Sequence, residues 1–431
     1  MKAARSGAGK RSRSTPRSDT RRAMNVMLLG GGGREHALAW RIAKSPLLRS
    51  LTVTHDNPGF PDGVVRAEGD PVAWARQHAI DLVVVGPDNP LAEGIADRMW
   101  DAGVPTFGPR RGAARIEWSK SFAKELMARH RIPTASFSIH DDRESAHRAV
   151  TGPCVVKADG LALGKGVVVA DGADEAHAAI DHAMSGAFGA AGSRVLLEER
   201  LQGPELSIFA LTDGTRRAYF PPCRDHKRRY DGDRGPNTGG MGAFCPVPGI
   251  DPALLARIDR EIVAPTIAAM RDEGALYQGV LYVGLMLTDD GPKVIEFNAR
   301  FGDPECQPLM LLLDEDLLPL LDACAHGRLE SRNLQVHAGA AACVVLVAAD
   351  YPGTVEKGMP ITGDLRDTDD SVVFFAGAKR RGSSIVADGG RVLGVTSRGR
   401  DLPDALARCY ERARRIHFER CDYRRDIGGA V

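Results

Sequence analysis

The sequence has no apolar run of the roughly 18 residues that a membrane-spanning helix needs. Its eight cysteines are scattered and include no C-x-x-C pair, which favours reduced thiols over a zinc site or a disulfide framework. No secretory signal and no internal repeat is visible. These absences argue against membrane, disulfide-bonded and repeat proteins. We therefore expect a cytoplasmic location and no membrane partner.

What is present is ordinary globular material. Of 431 residues, 43% are hydrophobic and 26% are charged, so the chain can bury a sizeable core. A chain of this length corresponds to about three domains. We expect a monomer.

Residues 1–23 form a basic extension. They contain eight lysines and arginines, the single acid Asp19 and almost no large apolar side chain, so we predict disorder. A nucleic-acid-binding arm and a transit peptide are alternatives to a passive extension, but Met24 directly precedes the first predicted strand and is a candidate start of translation. The remaining 49 basic and 55 acidic side chains give a formal charge of −6. This part of the chain gives no reason to expect a nucleic-acid partner.

Residues 24–124 alternate strand and helix patterns, which predicts a parallel sheet with helices on both faces. The predicted elements are, in order, a strand at 25–29, a helix at 34–43, strands and helices at 51–54, 72–78 and 81–85, and a helix at 91–102. Ligands of such sheets bind beyond the carboxyl ends of the strands. Those ends are residues 30–35, 56–59 and 86–90.

The first of these loops has the opening spacing of a dinucleotide-binding turn, Gly31-x-Gly33, and Asp56 follows at about the usual ~20-residue distance. However, His36 occupies the place of the third glycine. A glycine-rich turn between a strand and a helix binds any phosphate through its backbone N–H groups. We therefore predict a site for a small phosphorylated ligand; a tight turn without a ligand is the alternative.

The segment 293–305 carries the most specific chemistry. Val294 and Phe297 indicate a short buried strand, and period-two alternation places Glu296, Asn298 and Arg300 on one face. A carboxylate and an amide oxygen two residues apart suit Mg²⁺, which prefers oxygen ligands. The arginine can clamp a phosphate or carboxylate. The alternative is a strand edge with solvated charges.

Two lysine-bearing segments precede this strand. Ser119 can cap a helix that ends near His130 and carries Lys120 and Lys124 on one face. Residues 154–170 read as two β-branched strands around a loop with glycines at 160, 164 and 166 and lysines at 157 and 165. Such a hairpin can close over phosphates. A hairpin with incidental surface lysines is the alternative, although Lys157 follows two apolar strand residues and needs an anion there.

The rest of the chain supplies fewer chemical signals. Glu198 and Glu199 on a predicted strand at 194–201, with Glu205 beyond it, suit the amine and hydroxyls of a nucleotide. The glycine-rich stretch 235–242 is predicted to be an irregular loop facing the substrate. A helix is predicted at 309–321, a strand at 340–347 and a last helix at 402–417. The sparse functional chemistry after residue 340 predicts a packing domain that closes the cleft.

Together these motifs resemble the ATP-grasp superfamily and, within it, the phosphoribosylamine–glycine ligases, also called glycinamide ribonucleotide synthetases. The matching motifs are Gly32–Ala37, Lys157–Gly160, Asp225–Arg228, Gly235–Gly242 and Phe301–Glu305. The resemblance implies an α/β and α+β multidomain protein: an ATP-grasp fold with an N-terminal parallel α/β domain and a C-terminal mixed α+β domain. It places the boundaries at 24–124, 125–336 with a mobile lid at about 146–214, and 337–431.

The resemblance implies an ATP-dependent carbon–nitrogen ligase of purine biosynthesis. ATP would phosphorylate glycine to a glycyl phosphate, which 5-phosphoribosylamine attacks to give glycinamide ribonucleotide; no nucleophilic Ser, Cys or His is needed. The implied catalytic residues are Arg300, Asp225 and Lys157, and the implied Mg²⁺ or Mn²⁺ ligands are Glu296 and Asn298. The implied ATP contacts are Lys120, Lys157, Gly160, Gly164, Lys165, Gly166, Glu198, Glu199, Leu201 and Glu205. The implied substrate contacts are Gly32, Gly33, Arg34, Glu35, Asp88, Asp225, Asn237, Thr238, Gly239, Gly240, Arg300, Asp303 and Pro304.

The chain departs from the family pattern at a few positions. Gly31 replaces a usual Asn, Asp88 replaces a usual Glu, and the loop Asp56–Phe60 is altered. Three rival interpretations remain: another ATP-grasp carboxylate–amine ligase or carboxylase, a dinucleotide-dependent oxidoreductase built on residues 24–124, and a nucleic-acid-binding protein acting through the basic extension. The Asp225–Arg228 and Gly235–Gly242 motifs argue against the first rival, and the missing third glycine argues against the second.

Overall fold

The computed structural model describes residues 22–161 and 166–429. The first unit consists of β1 (Met24–Leu29), α1 (Gly33–Ile42), β2 (Leu48–Val53), β3 (Val65–Arg66), α2 (Pro71–Gln77), β4 (Leu82–Val85), α3 (Asp88–Ala92), α4 (Ile95–Asp101), β5 (Thr106–Phe107) and α5 (Arg111–Trp118). Its strands form a parallel sheet in the order β3-β2-β1-β4-β5. The predicted βαβ arrangement is confirmed. It brings the carboxyl ends of β1, β2 and β4 to one edge of the sheet.

The second unit is a small antiparallel sheet in the order β6-β9-β7-β8 with its own helices. Helix α6 (Lys120–His130) leads into this unit. The unit itself consists of β6 (Phe137–His140), α7 (Arg143–Ala149), β7 (Cys154–Ala158), β8 (Val167–Ala170), α8 (Ala173–His182) and β9 (Val195–Glu199). The predicted lysine-bearing hairpin is β7 and β8, which pair directly. Val156, Ile180 and Leu197 belong to a hydrophobic cluster that is separate from the two larger ones.

The third unit carries the strand with the metal-type side chains. It consists of β10 (Glu205–Thr212), β11 (Arg217–Tyr219), β12 (Arg224–Asp225), β13 (Arg228–Tyr230), β14 (Arg234–Asn237), β15 (Gly242–Cys245), α9 (Pro252–Ile258), α10 (Ala264–Asp272), β16 (Gly279–Thr288), β17 (Gly291–Asn298), α11 (Cys306–Leu312), α12 (Leu317–Ala325) and β18 (Arg332–Asn333). The main sheet has the order β17-β16-β10-β11-β18. The long apolar run of β16 lies inside this sheet, between β10 and β17.

The last unit is a mixed α+β region. It consists of β19 (Ala340–Ala348), β20 (Thr362–Gly363), β21 (Ser371–Phe375), β22 (Ala378–Arg381), β23 (Ser384–Ala387), β24 (Arg391–Gly399), α13 (Leu402–Ala413), β25 (Ile416–His417) and β26 (Cys421–Asp422). Its sheet has the order β12-β15-β19-β24-β21, with β26 also paired to β19. Because β12 and β15 come from the third unit, that sheet joins the two units through backbone hydrogen bonds.

Two long predicted helices are each two helices. The helix predicted at 91–102 is interrupted at Gly94, whose φ of 85° is left-handed and ends α3 before α4 begins. The helix predicted at 309–321 stops at Leu312. A new helix then starts behind Asp316, whose carboxylate accepts the N–H of Leu318 at 3.1 Å.

Two further predictions were wrong in detail. The last helix ends at Ala413, and Ile416–His417 form β25, which pairs with β20. The glycine-rich stretch was predicted to be irregular, but its first residues belong to β14, which pairs with β13 as a hairpin. Hairpin pairing compensates for the poor strand propensity of glycine and proline in Arg234–Asn237.

Within the part of the chain that the structure describes, no helix combines the length and the apolar character needed to cross a membrane.

His36 joins the first unit to the last one. Its ring is 2% exposed and packs against Phe60, Phe374 and Phe375, and its Nδ1 accepts the N–H of Phe375 at 2.9 Å. Burial lowers the pKa of His36 to about 3. The imidazole therefore stays neutral in the fold at pH values where the unfolded chain is protonated.

We expect this histidine to make the fold acid-sensitive. Between the ordinary pKa of 6.5 and a folded pKa of about 3, only the unfolded state binds the proton. Stability is therefore lost as the pH falls through that window, by about 1.4 kcal/mol per pH unit. Urea unfolding from pH 4.5 to pH 7 should show a slope smaller by that amount in His36→Gln than in the wild type. The exposed His417→Gln is the control, and parallel profiles for His36→Gln and the wild type would contradict the assignment.

Candidate functional site

The end of β17 is the centre of the candidate site. Its predicted strand is confirmed: Val294 and Phe297 are buried, and Glu296 and Asn298 lie opposite Gly284 and Tyr282 of β16. The strand ends at Asn298, so Arg300 belongs to the following loop. Glu296 and Asn298 thus present a carboxylate and an amide at a strand end, which is where sheet proteins bind ligands.

Glu296 lies among cationic groups without being paired to one. Burial alone raises the pKa of a carboxyl, but Lys227, Lys157 and Lys120, together with Arg300, more than offset this and lower the pKa of Glu296. Within residues 22–161 and 166–429, its carboxylate forms no ion pair. An unpaired anion held charged at neutral pH is suited to a ligand that brings its own positive charge.

Lys157 is fixed by a buried network. Its Nζ lies 3.0 Å from each carboxylate oxygen of Glu198 and 3.0 Å from the carbonyl oxygen of Ile295. Lys124 Nζ lies 2.8 Å from Glu198 and donates to Thr134 at 2.8 Å. Burial lowers the pKa of Lys124 to about 8, although Glu198 opposes the shift. The network ties β7 and β9 to α6 and to β17.

Lys120 closes the base of the glycine-rich hairpin. Its Nζ donates to the carbonyl oxygen of Gly160 at 2.7 Å, and burial lowers its pKa. Gly160 has a φ of 143°, and a Cβ there would lie 2.5 Å from that of Ala191, so only glycine fits. Gly166 O accepts the N–H of Ala158 at 2.8 Å and completes the hairpin base. Gly164 and Lys165 of the predicted loop lie outside the described residues.

The predicted nucleotide carboxylates lie along and beyond β9. Glu199 is exposed and accepts from the N–H and Oγ of Ser136 at 3.2 and 3.1 Å. Leu201 follows the strand and is half-buried. Glu205, at the start of β10, pairs with Lys227 Nζ at 2.7 Å. The chain thus places Glu199 and Glu205 near the lysine-bearing strands, and their contacts with a nucleotide stay a prediction.

Arg300 is held by a residue that the sequence did not indicate. Its Nη2 lies 2.9 Å from Glu117 of α5, whose other carboxylate oxygen accepts the N–H of Ala299 at 2.7 Å. Burial disfavours the charged guanidinium, but Glu117 and Asp88 more than compensate and raise the pKa of Arg300. Its Nε is buried and has no hydrogen-bond partner among the described residues. The guanidinium is therefore fixed while one donor remains unused.

The loops of the first unit meet this arginine. Arg34 donates to the carbonyl oxygen of Phe301 at 3.1 Å and lies 2.7 Å from Glu35. Glu35 also accepts the N–H of Gly32 at 2.7 Å, so both of its oxygens are engaged within the protein. A Cβ on Gly33 would lie 2.8 Å from Gln307 Nε2, so the turn is packed closely against the segment after β17.

Two further residues of the first unit, Asp88 and Asn57, form hydrogen bonds within the protein. Asp88 begins α3 and its carboxylate accepts the N–H of Asn89 at 2.9 Å. Asn57, in the altered loop, donates to the carbonyl oxygens of Gly31 and Phe375 at 2.9 and 2.7 Å and accepts the N–H of Gly59 at 2.9 Å. The Asn57 amide therefore fastens two loops of the first unit to the last unit.

Asp303 is bound by Arg391 of the last unit. Its carboxylate accepts from Gln307 at 2.8 Å and from Arg391 of β24 at 3.1 Å, and Arg391 also donates to the carbonyl oxygens of Asp303 and Gly239. A Cβ on Gly240 would lie 2.5 Å from Pro304. Arg391 of the last unit therefore joins two segments that were predicted to contact substrate, and a packing domain that closes the cleft stays a prediction.

The segment 225–240 adds the charged side chains of Asp225 and Lys227 to the site. Lys227 Nζ lies 2.9 Å from Asp225. The backbone carbonyl oxygen of Lys227 accepts from both the N–H and the Oγ1 of Thr238 at 2.8 Å. Asn237 ends β14 opposite Arg228. Tyr282 donates to Glu305 at 2.7 Å, and burial together with the charge of Asp225 raises the pKa of Glu305 to about 7.

Protein-family profiles match nearly the whole chain. The phosphoribosylglycinamide synthetase N domain matches residues 24–117, the ATP-grasp (A) domain residues 118–306 and the C domain residues 341–430. The chain belongs to the phosphoribosylglycinamide synthetase family.

Named relatives agree with this family assignment. The phosphoribosylamine–glycine ligase of Mesorhizobium japonicum is 49% identical over 420 residues, which are 94% of this chain and 98% of the relative. That of Agrobacterium fabrum is 47% identical over 414 residues, with the same two coverages. The crystal structure of the Thermotoga maritima phosphoribosylamine–glycine ligase has a TM-score of 0.83 at 33% identity and covers 94% of this chain and 100% of that one.

The fold extends beyond the family. The biotin carboxylase domain of the Hydrogenobacter thermophilus 2-oxoglutarate carboxylase has a TM-score of 0.72 at 17% identity and covers 93% of this chain and 91% of that one. At this identity the likeness shows the ATP-grasp fold alone.

Several residues that meet the site were missed by sequence reasoning. Lys227 and Glu305 lie inside the family motifs Asp225–Arg228 and Phe301–Glu305, so each had a local signal. Glu117 and Arg391 had none, because their partners are 182 and 88 residues away in the chain.

Proposed function

We propose that the chain ligates glycine to 5-phosphoribosylamine with ATP, giving glycinamide ribonucleotide, ADP and phosphate through a glycyl phosphate. The observation that best supports this proposal is that three segments carrying family motifs are joined by hydrogen bonds. The loop of Arg34 contacts the segment that begins at Phe301, and Asp303 of that segment is joined to Gly239 by Arg391. Three family motifs therefore meet next to Glu296 and the lysine network.

ATP-grasp enzymes use ATP with a divalent metal. In this chain Glu296 and Asn298 would hold the metal, as Mg²⁺ or Mn²⁺, because they offer two hard oxygen donors and the Glu296 charge is unpaired among the described residues. When bound, the metal would neutralise charge on the nucleotide phosphates.

The chain's own residues would position ATP around that donor set. Lys120 and Lys157 would hold the phosphates under the hairpin that includes Gly160 and Gly166, with Gly164 and Lys165 also proposed there. The adenine and ribose would lie along the strand of Glu198 and Glu199, with Leu201 and Glu205 completing the site. Because Glu198 already binds two lysines, we propose that it shares its carboxylate between Lys157 and the nucleotide.

The acceptor substrates would enter from two sides. The loop Gly32–Glu35 and Asp88 would receive phosphoribosylamine, whereas Asp225, Asn237, Thr238, Gly239, Gly240, Asp303 and Pro304 would border glycine. Arg300 lies between the two groups and would stabilise negative charge on the transferred phosphoryl and the acyl phosphate. Its free Nε, fixed by the Glu117 contact on Nη2, supports this role.

The organisation of the domains completes the proposal. We propose boundaries at residues 24–124, 125–336 and 337–431, with a lid at about 146–214. The separate hydrophobic cluster of the β6-β9-β7-β8 sheet supports a lid that moves as a unit. A monomeric, cytoplasmic enzyme without a nucleic-acid or membrane partner remains our prediction from the sequence.

ADP release with Mg²⁺ tests the function. We expect turnover only when glycine and phosphoribosylamine, generated in place from ribose 5-phosphate and ammonia, are both supplied. Alanine, serine and bicarbonate replace glycine in parallel reactions. Turnover with another acid, or turnover that ignores the sugar amine, would contradict the ligase and favour another ATP-grasp enzyme.

A further inference from the structure

The β13–β14 hairpin lies between the two chain stretches that we propose to border glycine. Asp225 and Lys227 precede it, and Thr238 to Gly240 follow it. Thr238 closes its base by donating twice to the carbonyl oxygen of Lys227, and Gly240 N donates to Thr238 Oγ1 at 3.0 Å. A shift of the hairpin would therefore displace both stretches together.

The far end of the hairpin is held by the C-terminal segment 422–428, mainly through Arg424. This arginine is 2% exposed; its Nη1 donates to the carbonyl oxygen of Arg228 at 3.1 Å and to Asp233 at 2.6 Å. Asp426 binds Arg424 Nε and Nη2 at 2.8 and 2.7 Å and also accepts the N–H of Gly232 at 2.8 Å. One arginine and one aspartate thus fasten strand β13 and the turn of the hairpin.

Arg229 forms a second polar connection between the hairpin and the last unit. Arg229, also 2% exposed, donates to the carbonyl oxygen of Tyr351 at 2.9 Å and to Asp422 at 3.0 Å. Tyr351 uses its hydroxyl to accept the N–H of Gly239 at 2.9 Å. The C-terminal segment is therefore connected to the glycine side of the site through at most two side chains.

Apolar packing does not replace these contacts. Tyr230 of the hairpin is 49% exposed, and residues of the hairpin and of the C-terminal segment together line a cleft of about 410 Å³. Its lining includes the side chains of Arg229, Arg234, Arg424 and Arg425. With a cleft on this side, the hydrogen bonds of Arg424 and Asp426, together with those of Arg229, hold the hairpin in place.

We propose that Arg424 and Asp426 are positioning residues for the glycine side of the site. They act through the hairpin and touch no substrate. The inference rests on the proposed function, because it takes Asp225 and Thr238–Gly240 to be the glycine side. ATP would bind along β7, β9 and β17, to which the described residues of the C-terminal segment do not bind. The nucleotide site meets the hairpin base at the Lys227–Glu205 pair, so the effect should fall mainly on glycine.

The test compares Arg424→Gln with Arg425→Gln in the full-length chain. The two changes remove the same charge from adjacent positions, but the Arg425 side chain is 64% exposed and only its backbone N–H binds the hairpin, to Asp231. For Arg424→Gln we expect the KM for glycine to rise about ten- to a hundredfold, with the KM for ATP within about twofold of the wild type. Arg425→Gln should leave both constants unchanged.

A second variant guards against a folding defect. Asp233→Asn weakens one Arg424 contact by removing its negative charge, at a side chain that is 71% exposed and has a φ of 51°, which asparagine adopts readily. It should raise the KM for glycine in the same direction as Arg424→Gln, but by less. Asp426→Asn should follow Arg424→Gln, and Arg424→Lys should recover part of the affinity.

The outcomes distinguish a failure of the positioning role from a failure of the proposed function. A glycine KM that stays at the wild-type value in Arg424→Gln and Asp233→Asn, or equal losses on glycine and ATP, would overturn the positioning role alone. Wild-type ADP release that ignores glycine would overturn the proposed function and the positioning role with it.

Discussion

Replacing Glu296 with glutamine is expected to lower kcat for glycine-dependent ADP release by about three orders of magnitude. The amide keeps the size of the side chain but removes the one unpaired carboxylate charge at the end of β17, where the cations Lys120, Lys157 and Lys227 lower its pKa. Without that charge a divalent metal would lose its strongest proposed ligand. Steady-state rates measured over a range of Mg²⁺ and Mn²⁺ concentrations would show the loss and any partial recovery at high metal.

The matched control for this substitution lies on the same strand pair. Asp290→Asn also exchanges a carboxylate for an amide, in the turn between β16 and β17, where the side chain is 83% exposed and lies 3.4 Å from Lys293. Its kcat should match the wild type. If Glu296→Gln retained kcat within tenfold of the wild type at low Mg²⁺, Glu296 would not be an essential metal ligand.

The parts of the fold that sequence predicted well are those with a short-range signal. The parallel sheet followed from apolar β-branched runs alternating with helical spacing, as in Leu82–Val85 followed by α3 and α4. The strand of Glu296 and the hairpin of Lys157 followed from period-two alternation and from charges in apolar surroundings. In each case the residues that decide the structure lie within a few positions of one another.

Some errors arose although a local signal was present. Gly94 and Asp316 each mark a helix end, by a left-handed backbone and by a capping carboxylate, yet continuous apolar periodicity suggested longer helices. The two helices of each pair pack against one hydrophobic cluster, as Leu91 and Ile95 do in one case and Leu309 and Leu317 in the other. Apolar residues therefore indicated burial correctly and helix length wrongly.

The partners in the site could not be predicted from the sequence. Which carboxylate binds Arg300, and which arginine binds Asp303, depends on how separate units pack. The sheet that runs from β12 to β21 makes the same point, since β15 pairs with β19 about a hundred residues later in the chain. A single sequence contains the charges but not the long-range pairings, because the chain connecting them carries no information on register.

Replacing Arg300 with methionine is expected to destabilise the fold by about 3–5 kcal/mol, as well as to abolish most turnover. The loss would leave Glu117 as an uncompensated buried carboxylate, because its side chain is only 7% exposed. Burial already raises the pKa of Glu117 against the opposing charge of Arg300, and removal of that charge would raise it further. A group whose folded pKa is raised costs stability as the pH rises above its unfolded value, so the penalty should be larger at pH 8 than at pH 4.5, the ordinary pKa of this carboxyl. Urea unfolding at the two pH values measures it.

The double variant Glu117→Gln/Arg300→Met separates the structural role of the pair from its chemistry. With both charges gone, no carboxylate is left unpaired, and stability should return to within about 1–2 kcal/mol of the wild type. Turnover should not return, because the guanidinium proposed to stabilise the transferred phosphoryl is absent; we expect kcat to remain lower by about 10²–10³-fold. Arg129→Met is the control, since it breaks an exposed pair with Glu273 and should cost at most about 1 kcal/mol. If the double variant recovered activity together with stability, Arg300 would serve only to neutralise Glu117, and the charge that stabilises the acyl phosphate would have to come from Lys157, Lys227 or the metal.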